Sequence, residues 1–429
     1  AQATLAHVNG SMSSQPLASP MQRLRQLSYH VIASPCSASN PVSEDQEDAA
    51  YRLYCEEGRA RALNLGNRGP ISFDEHGRLS THILEAYWRH GFYVLEGVIS
   101  DTELQEVRNE FEALRENAPV TKGSLLDKHG RPVKQPEIYN LVKPLSDPMG
   151  GTRFGVYNFN GGKTQGRHQM KMREPPLPLG APEFVAENIT RPLANMDSAL
   201  RVYGHPQLMR VVEAINGPDF TPFTESLWYK PAGMGTSTAW HQDPSAAWDD
   251  AWGKPGFDVG TCGFSFHLSL FNCTAENSLW VVPGSQFSGR ADIKALAAKS
   301  GGSDRLLGAV PIICKPGDVY IQNRMVLHGA FPNRSQEPRC TLQFGFNRRA
   351  SVLNVQTKGY GGSMKVYDEG YIRERSQMIA WAINARRQKY PNEEPYEYLP
   401  FKGQLDQYCW SEDLKEDSYG RYWEKDIVI

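Results

Sequence analysis

The stretch Trp240-His241-Gln242-Asp243 decides how the rest of this 429-residue chain is interpreted. It contains a His-x-Asp pattern, and His241 is the one histidine of eleven that is followed two residues later by an acid. In an extended strand, residues two apart point to the same side, so His241 and Asp243 can hold one metal ion together. A third ligand must come from elsewhere, and the best candidate is His328. Two histidines and one carboxylate form the facial triad of non-haem Fe(II) oxygenases.

A second feature, downstream of His328, strengthens this interpretation, because His-x-Asp alone also occurs at ordinary surface turns. A polar segment rich in turn formers, residues 331–338, leads to Arg339 at the head of a strand-like run. A hairpin there returns Arg339 beside the metal, where its guanidinium suits the bidentate capture of a carboxylate. A metal triad with a nearby arginine is what 2-oxoglutarate-dependent oxygenases need.

Further short motifs accompany these residues at regular spacing, from Trp228 onward. They are Trp228-Tyr229-Lys230-Pro231, Trp240-His241-Gln242-Asp243, Glu276-Asn277, Val282-Pro283-Gly284-Ser285, Pro316-Gly317-Asp318, His328-Gly329, Asn333 and Arg339. In the order and spacing of these motifs, residues 80–349 resemble the phytanoyl-CoA dioxygenase family of Fe(II)/2-oxoglutarate-dependent oxygenases.

The resemblance implies a fold and a set of functional residues. The expected fold is mainly β with flanking helices, around a double-stranded β-helix (jelly-roll) core. His241, Asp243 and His328 are implied as the iron ligands and hence as the catalytic residues. Arg339 is implied as the partner of the distal carboxylate of 2-oxoglutarate. The cofactor is then Fe(II), with 2-oxoglutarate and O2 as co-substrates and ascorbate as an addition in assays.

Two more residues are candidates for cofactor binding. His267 lies in a strand-like run, residues 263–271, and shares a face with Ser265 and Ser269. We expect His267 to touch the co-substrate or the substrate and not the iron, because the triad is complete without it. Gln242, between two of the ligand candidates, is the second candidate.

The chain departs from the family pattern at three positions around the co-substrate pocket. The family commonly has a hydroxyl residue two places after the second histidine, where this chain has Ala330. It often has Trp where His267 stands and Gly where Ser278 stands. The co-substrate pocket is therefore not a standard copy of the family's pocket.

The substrate is less well defined by the sequence than the cofactors. The resemblance implies oxidation of an unactivated C–H bond of a small organic substrate, with succinate and CO2 as co-products. Hydroxylation is the default outcome, and desaturation or oxidative cyclisation in natural-product biosynthesis is the alternative. Trp248 belongs to an aromatic loop that lines the substrate pocket or, equally, packs in the core. Arg334, Arg348 and Arg349 near the barrel rim would suit an anionic substrate.

Two other classes of protein remain open on the sequence alone. One is a cupin-like metalloenzyme that does not use 2-oxoglutarate, and the other is a non-catalytic jelly-roll binding protein. The intact set of His241, Asp243, His328 and Arg339 argues against the second class, because decayed sites lose their ligands first. Residues 157–163 and 167–171 are mixed basic and aromatic, and they either lie over the active-site mouth or form a solvated loop.

Composition and charge exclude several partners. Lysine and arginine total 46 against 48 acids, so nothing indicates nucleic acid as a partner. No apolar run approaches the roughly 20 residues of a membrane span. Seven cysteines without Cys-x-x-Cys spacing favour reduced thiols in an intracellular, cytoplasmic protein. Residues 23–31 resemble an N-terminal peroxisomal address, although a short amphipathic helix or a disordered arm is the favoured interpretation.

Three segments are predicted along the chain. Residues 1–77 form an N-terminal arm, of which residues 1–11 resemble an expression-vector remnant before Met12. Residues 78–360 form the jelly-roll oxygenase domain, with a helix start at the capping box Ser100 to Glu103 and strands that include residues 319–322 and 325–328. Residues 361–429 add a helix and an aromatic-rich tail. This tail packs on the core or forms a subunit contact, which would make the protein a homo-oligomer.

Overall fold

In a computed structural model, residues 44–149, 167–243, 258–358 and 363–414 are described. Contacts divide the chain into two compact units, residues 1–47 and residues 48–429, and the sheets and the site belong to the second unit. The domain boundaries predicted after residues 77 and 360 stay predictions. Within the described ranges no helix combines the length and the apolar character that a membrane crossing requires.

The chain order of the helices and strands is mixed, with the strands concentrated in the middle. The helices are α1 (Glu44–Leu63), α2 (Thr81–His90), α3 (Asp101–Glu116), α4 (Pro192–Asn195), α5 (Asp197–Tyr203), α6 (Pro206–Asn216), α7 (Ile293–Lys299), α8 (Arg349–Val352) and α9 (Glu369–Lys389). The strands are β1 (Arg68–Gly69), β2 (Phe92–Leu95), β3 (Tyr139–Val142), β4 (Val185–Thr190), β5 (Thr221–Lys230), β6 (Thr238–His241), β7 (Phe264–Ser269), β8 (Trp280–Val281), β9 (Val310–Pro311), β10 (Val319–Asn323), β11 (His328–Ala330), β12 (Arg339–Asn347), β13 (Gln356–Lys358) and β14 (Met364–Val366).

Two sheets form the centre of the fold. In the part of the chain that the structure describes, the larger sheet has eight strands in the order β1-β2-β10-β7-β12-β5-β4-β3. The smaller sheet has four strands in the order β6-β11-β8-β9. Strands that are distant in the sequence lie side by side, and the pairing is antiparallel except between β1 and β2. This arrangement is a jelly roll and confirms the predicted fold class.

The larger sheet has one apolar face and one polar face. Because side chains alternate along a strand, each of its central strands contributes to both faces. One face lies in the main hydrophobic core together with the helices, and its residues on two central strands are Phe264, Phe266, Leu268, Leu342, Phe344 and Phe346. The opposite face carries Ser265, His267, Ser269, Arg339, Thr341 and Gln343, which turn toward the smaller sheet. The space between the sheets, called the barrel interior below, is therefore lined by polar groups.

Helices close the apolar face of the larger sheet. The predicted start of α3 is confirmed, because the Ser100 hydroxyl accepts a hydrogen bond from the Glu103 backbone N–H. The Glu103 side chain is buried and forms an ion pair of 2.7 Å with Arg386 of α9. This pair joins the N-terminal and C-terminal helices. Such a pair loses much of its stabilisation if one partner alone is removed.

The C-terminal tail packs on the same core as far as the structure describes it. Tyr396, Tyr398 and Phe401 are buried there, and Trp410 is partly buried against it. The remaining aromatic residues of the tail, from residue 415 onward, lie outside the described residues. The six cysteines of the described ranges are free thiols, in line with the sequence prediction.

Candidate metal and co-substrate site

Three side chains of the predicted triad meet at the end of the smaller sheet. His328, at the start of β11, lies directly opposite His241, the last residue of β6. Asp243 follows two residues after His241. The Nε2 atom of His241 lies 3.5 Å from Asp243 Oδ1, and the Nε2 atom of His328 lies 3.9 Å from Asp243 Oδ2. All three ligand atoms lie within 4.8 Å of one another, which is the spacing that a single bound metal ion requires.

Backbone carbonyl groups orient both histidines. Nδ1 of His241 lies 2.8 Å from the Ala239 carbonyl oxygen, and Nδ1 of His328 lies 2.9 Å from the Val326 carbonyl oxygen. A carbonyl can only accept, so each Nδ1 carries the proton and each Nε2 is left as the metal-facing atom. Burial, with the neighbouring His241 as a second cause, lowers the pKa of His328 to about 3. The imidazole of His328 is therefore neutral, as a metal ligand must be.

The carboxylate of Asp243 is held in its charged form. Burial raises its pKa, but His328, His241 and Arg167 outweigh that effect and hold the pKa well below its usual range. The Arg167 guanidinium donates a hydrogen bond to Asp243 Oδ1. The Asp243 backbone N–H donates to the Arg324 carbonyl oxygen at 2.9 Å, which fixes the residue just beyond the end of its strand.

Arg167 and His168 place two more basic side chains beside the triad, in addition to its own two histidines. Besides the contact of Arg167 with Asp243, the His168 ring lies 4.7 Å from the His241 ring, measured between centroids, and His168 is buried. The sequence left open whether residues 167–171 cover the site or form a solvated loop. The structure places the first two of them at the triad. The other segment of this kind, residues 157–163, lies outside the described residues.

Arg339 lies on the facing sheet, at the start of β12, and points into the barrel interior. It is only 5% exposed. Its guanidinium lies 3.4 Å from the Tyr320 hydroxyl and 3.5 Å from the Thr341 hydroxyl. Among the described residues, no acidic side chain lies within ion-pair distance of it. A buried cation of this kind needs an anion, and a ligand carboxylate would provide one.

His267 lies close enough to Arg339 and to two residues of the triad, His328 and Asp243, for their charges to act on it. Its ring stacks on Tyr320, with the centroids 4.3 Å apart and the planes 6° from parallel. Burial, with the positive charge of Arg339 as a second cause, holds the pKa of His267 well below its usual range. The imidazole is therefore neutral and can exchange hydrogen bonds with a ligand without adding charge.

Gln242 occupies a different position from the residues on either side of it. Its side-chain NH2 donates to the carbonyl oxygens of Gly289, at 3.0 Å, and Met325, at 2.8 Å. Its side-chain oxygen accepts from the Ala291 backbone N–H at 2.9 Å. These contacts tie two loops, residues 289–292 and residues 324–327, to the triad strand. The prediction that Gln242 touches a cofactor stays a prediction, and its contacts favour a positioning role.

Five other residues of the sequence prediction can be placed or set aside. Ala330 is buried in an apolar cluster and offers no hydroxyl. The three arginines that would suit an anionic substrate already pair with acids: Arg334 with Asp48, Arg348 with Asp258 and Arg349 with Glu369. Trp248 lies outside the described residues.

The family model of phytanoyl-CoA dioxygenase (PhyH) matches residues 87–341, which is more than half of the chain. The protein is thus a non-haem Fe(II)/2-oxoglutarate-dependent dioxygenase, and the predicted triad and fold agree with that class. The chain belongs to the phytanoyl-CoA dioxygenase family.

Several solved structures are similar to this chain. EctD from S. alaskensis with bound Fe has 19% identity and a TM-score of 0.43, covering 66% of this chain and 82% of that chain. EctD from S. alaskensis with 2-oxoglutarate and 5-hydroxyectoine has 19% identity and a TM-score of 0.43, covering 67% and 82%. SnoK, a non-heme alpha ketoglutarate dependent carbocyclase from nogalamycin biosynthesis, has 15% identity and a TM-score of 0.40, covering 66% and 87%. No curated protein sequence matches the chain.

Proposed function

We propose that this enzyme oxidises an unactivated C–H bond of a small organic substrate, with hydroxylation as the default reaction. Desaturation and oxidative cyclisation are the alternative outcomes, because they need only a different placement of the substrate carbon. The observation that carries the proposal is the meeting of His241, Asp243 and His328 across a polar interior from the buried Arg339.

The triad supplies the metal-binding half of the proposed site. Two imidazole nitrogens and one carboxylate, all within 4.8 Å, suit Fe(II) in both donor type and spacing. When bound, the iron supplies O2 activation coupled to decarboxylation of 2-oxoglutarate to succinate and CO2. The chain's part is to fix His241 and His328 through the backbone carbonyls of Ala239 and Val326, so that the ligands need not reorganise.

The facing sheet supplies the co-substrate half. Arg339 would hold the distal carboxylate of 2-oxoglutarate, because it is a buried guanidinium without an acidic partner among the described residues. His267 would line the path between that carboxylate and the triad, and its stacking on Tyr320 fixes the plane of its ring. Trp248 is proposed to contact the substrate. The pairing of all three rim arginines with acids removes the reason to expect an anionic substrate.

The proposal is tested by incubating the protein with a metabolite extract, Fe(II), ascorbate and 2-oxoglutarate, and comparing masses by mass spectrometry. We expect one compound to gain an oxygen atom, or to lose two hydrogens, in step with succinate formation. Heavy-oxygen gas should label a hydroxylated product. The matched control is Asp243→Ala, which should convert nothing. Conversion that needs no 2-oxoglutarate would contradict the proposal.

Two finer points about partners and location are also proposed. Residues 361–429 would contribute to a subunit contact, because this segment is rich in aromatic residues. Light scattering should then give more subunits per particle for the full chain than for a chain ending after residue 414.

A cytoplasmic location is proposed, with a peroxisomal address at residues 23–31 as the alternative. Fluorescence microscopy of the tagged full chain separates the two.

A further inference from the structure

A β-bulge turns one acidic side chain into the barrel interior. In the pairing of β3 with β4, Asn140 lies opposite Asn188 while Leu141 lies opposite Ala186, so that Glu187 has no partner on the neighbouring strand. A bulge of this kind re-aims a side chain. Glu187 is only 2% exposed, and the Thr236 hydroxyl donates a hydrogen bond to its Oε1. Its other oxygen, Oε2, is buried and has no hydrogen-bond partner in the described structure.

Two cations lie side by side near Glu187. Lys230, the last residue of β5, is the cross-strand partner of Arg339, and both side chains point to the same side of the sheet. Lys230 is 4% exposed and donates a hydrogen bond of 2.6 Å to the Phe331 carbonyl oxygen. Like charges directly opposite on neighbouring strands repel. Neither cation has an acid within ion-pair distance among the described residues, so this arrangement is favourable only when an anion neutralises it.

We propose that Lys230 is a second cationic contact for the distal carboxylate of the co-substrate, and that Glu187 is the buried counter-charge of this contact. The inference rests on the proposed function, because it assumes that 2-oxoglutarate occupies the site of Arg339. Lys230 and Glu187 lie on different strands from Arg339. Lys230 would supply a contact in place of the hydroxyl that Ala330 lacks.

The charges of the pocket support this assignment. Lys230 and Arg339 bring two positive charges to the pocket, and Glu187 brings one negative charge. Asp147 also acts on this group, but its two oxygens accept hydrogen bonds from the backbone N–H groups of Met149 and Met172. Because Lys230 and Arg339 are cross-strand partners, a carboxylate bound between them would be stabilised by both cations.

The test is an anaerobic titration of the Fe(II)-loaded protein, followed by the charge-transfer absorption that a 2-oxo acid produces when it binds the iron. Two ligands are compared: 2-oxoglutarate, and 2-oxopentanoate, which has a methyl group where 2-oxoglutarate has its distal carboxylate. For Lys230→Met we expect the Kd of 2-oxoglutarate to rise about tenfold to a hundredfold, the effect of losing a hydrogen bond to a charged group. The Kd of 2-oxopentanoate should stay within about threefold of wild type, because the contact is absent from that complex.

A second variant separates the charge of Lys230 from its contribution to packing. In Lys230→Met the pocket keeps Glu187, whose charge repels the co-substrate. In the double variant Lys230→Met/Glu187→Gln that repulsion is gone, and Arg339 alone balances the distal carboxylate. We expect the double variant to recover the part of the affinity for 2-oxoglutarate that the repulsion by Glu187 cost, and not the part that the lost contact with Lys230 cost. Loss of the hydrogen bond to the Phe331 carbonyl would not be repaired by a change at residue 187.

The surface pair Lys402 and Glu397, 2.8 Å apart and well exposed, provides the matched control. Lys402→Met and Lys402→Met/Glu397→Gln should leave both Kd values at the wild-type level. If Lys230→Met does not fold, Glu187→Gln is compared with the double variant, and the double variant should bind 2-oxoglutarate at least about tenfold more weakly.

Three results would overturn the inference. They are an unchanged Kd of 2-oxoglutarate in Lys230→Met, an equal loss for both ligands, and a double variant no better than Lys230→Met. In the fallback comparison, equal affinity of Glu187→Gln and the double variant would overturn it as well. Failure of the proposed function looks different, because wild-type protein would then show no charge-transfer absorption with either ligand.

Discussion

The two faces of the larger sheet are built from the same strands but have different roles. One face packs in the hydrophobic core, and the other lines the barrel interior. On β12, Leu342 and Phe344 are fully buried among apolar side chains, whereas Arg339 and Thr341 are equally buried but face the barrel interior. Burial alone therefore does not distinguish a core position from a site position. What distinguishes them is whether the buried side chain finds its partners within the chain or needs a ligand.

The largest effect is expected at the triad. Asp243→Ala removes the one carboxylate among the three ligands, so iron affinity should fall by at least about a hundredfold, since even the partners of metal ligands carry that much. Turnover should be lost. The melting temperature of the metal-free protein should fall, because the carboxylate that pairs with Arg167 is removed. Iron titration and calorimetry on the same sample check both. Wild-type iron affinity in this variant would show that Asp243 is not a ligand.

The next effect is expected at Arg339. Arg339→Met keeps the length of the side chain but removes its charge, and losing one partner of a buried charge pair costs about 3–5 kcal/mol. The Kd of 2-oxoglutarate should therefore rise by roughly a hundredfold to a thousandfold, at unchanged iron affinity. Anaerobic titration measures both. A variant that binds 2-oxoglutarate as wild type does would place the distal carboxylate elsewhere.

The apolar face should respond in the opposite way. Phe344→Ala removes a fully buried ring from the core and should lower the free energy of unfolding by about 3–5 kcal/mol. At a temperature where the variant is still folded, its Kd for 2-oxoglutarate should equal that of wild type. Denaturant unfolding and the same ligand titration give the two numbers. A large loss of affinity with little loss of stability would reverse the roles of the two faces.

The smallest effect is a pH dependence of 2-oxoglutarate binding. Burial and the adjacent Arg339 lower the pKa of Lys230 to about 7, while burial raises the pKa of Glu187 to about 7. The other groups that act on this pair are Asp147, the Thr236 hydroxyl and the Phe331 carbonyl. As the pH rises through this range, Lys230 loses its positive charge and Glu187 becomes negative, and both changes disfavour an anion. The affinity should therefore fall, by about tenfold over a unit of pH.

Titrations of Fe(II)-loaded protein at a series of pH values measure this effect. The Kd of 2-oxopentanoate should not follow the same curve, because it has no distal carboxylate, and this comparison removes any contribution from the iron ligands. The double variant Lys230→Met/Glu187→Gln should bind 2-oxoglutarate with a flat profile. If the Kd of 2-oxoglutarate in the double variant depends on pH as steeply as in wild type, other groups cause the pH dependence.

Local sequence patterns predicted much of the framework. The helix start at Ser100 follows from a capping box whose hydrogen bond reaches only three residues along the chain. The strand predicted over residues 325–328 instead begins at His328. The Asn323 side chain accepts from the Met325 backbone N–H and the Asn323 carbonyl from the Val326 backbone N–H, so these residues form a turn. A side chain that competes with the backbone in this way is difficult to predict from the sequence.

The residues of the candidate site show the same difference between short-range patterns and long-range packing. The sequence by itself indicated the iron-binding motif, because His-x-Asp alternation is a short-range feature. It also indicated Arg339, but the predicted hairpin is wrong, because β11 and β12 lie in different sheets and Arg339 faces the triad across the barrel interior. It showed Lys230 only as part of a motif and gave no sign of Glu187. Those roles were decided by the tertiary structure, since they depend on the register of three strands and on one bulge. Register and bulges arise from packing between distant segments, which no local pattern records.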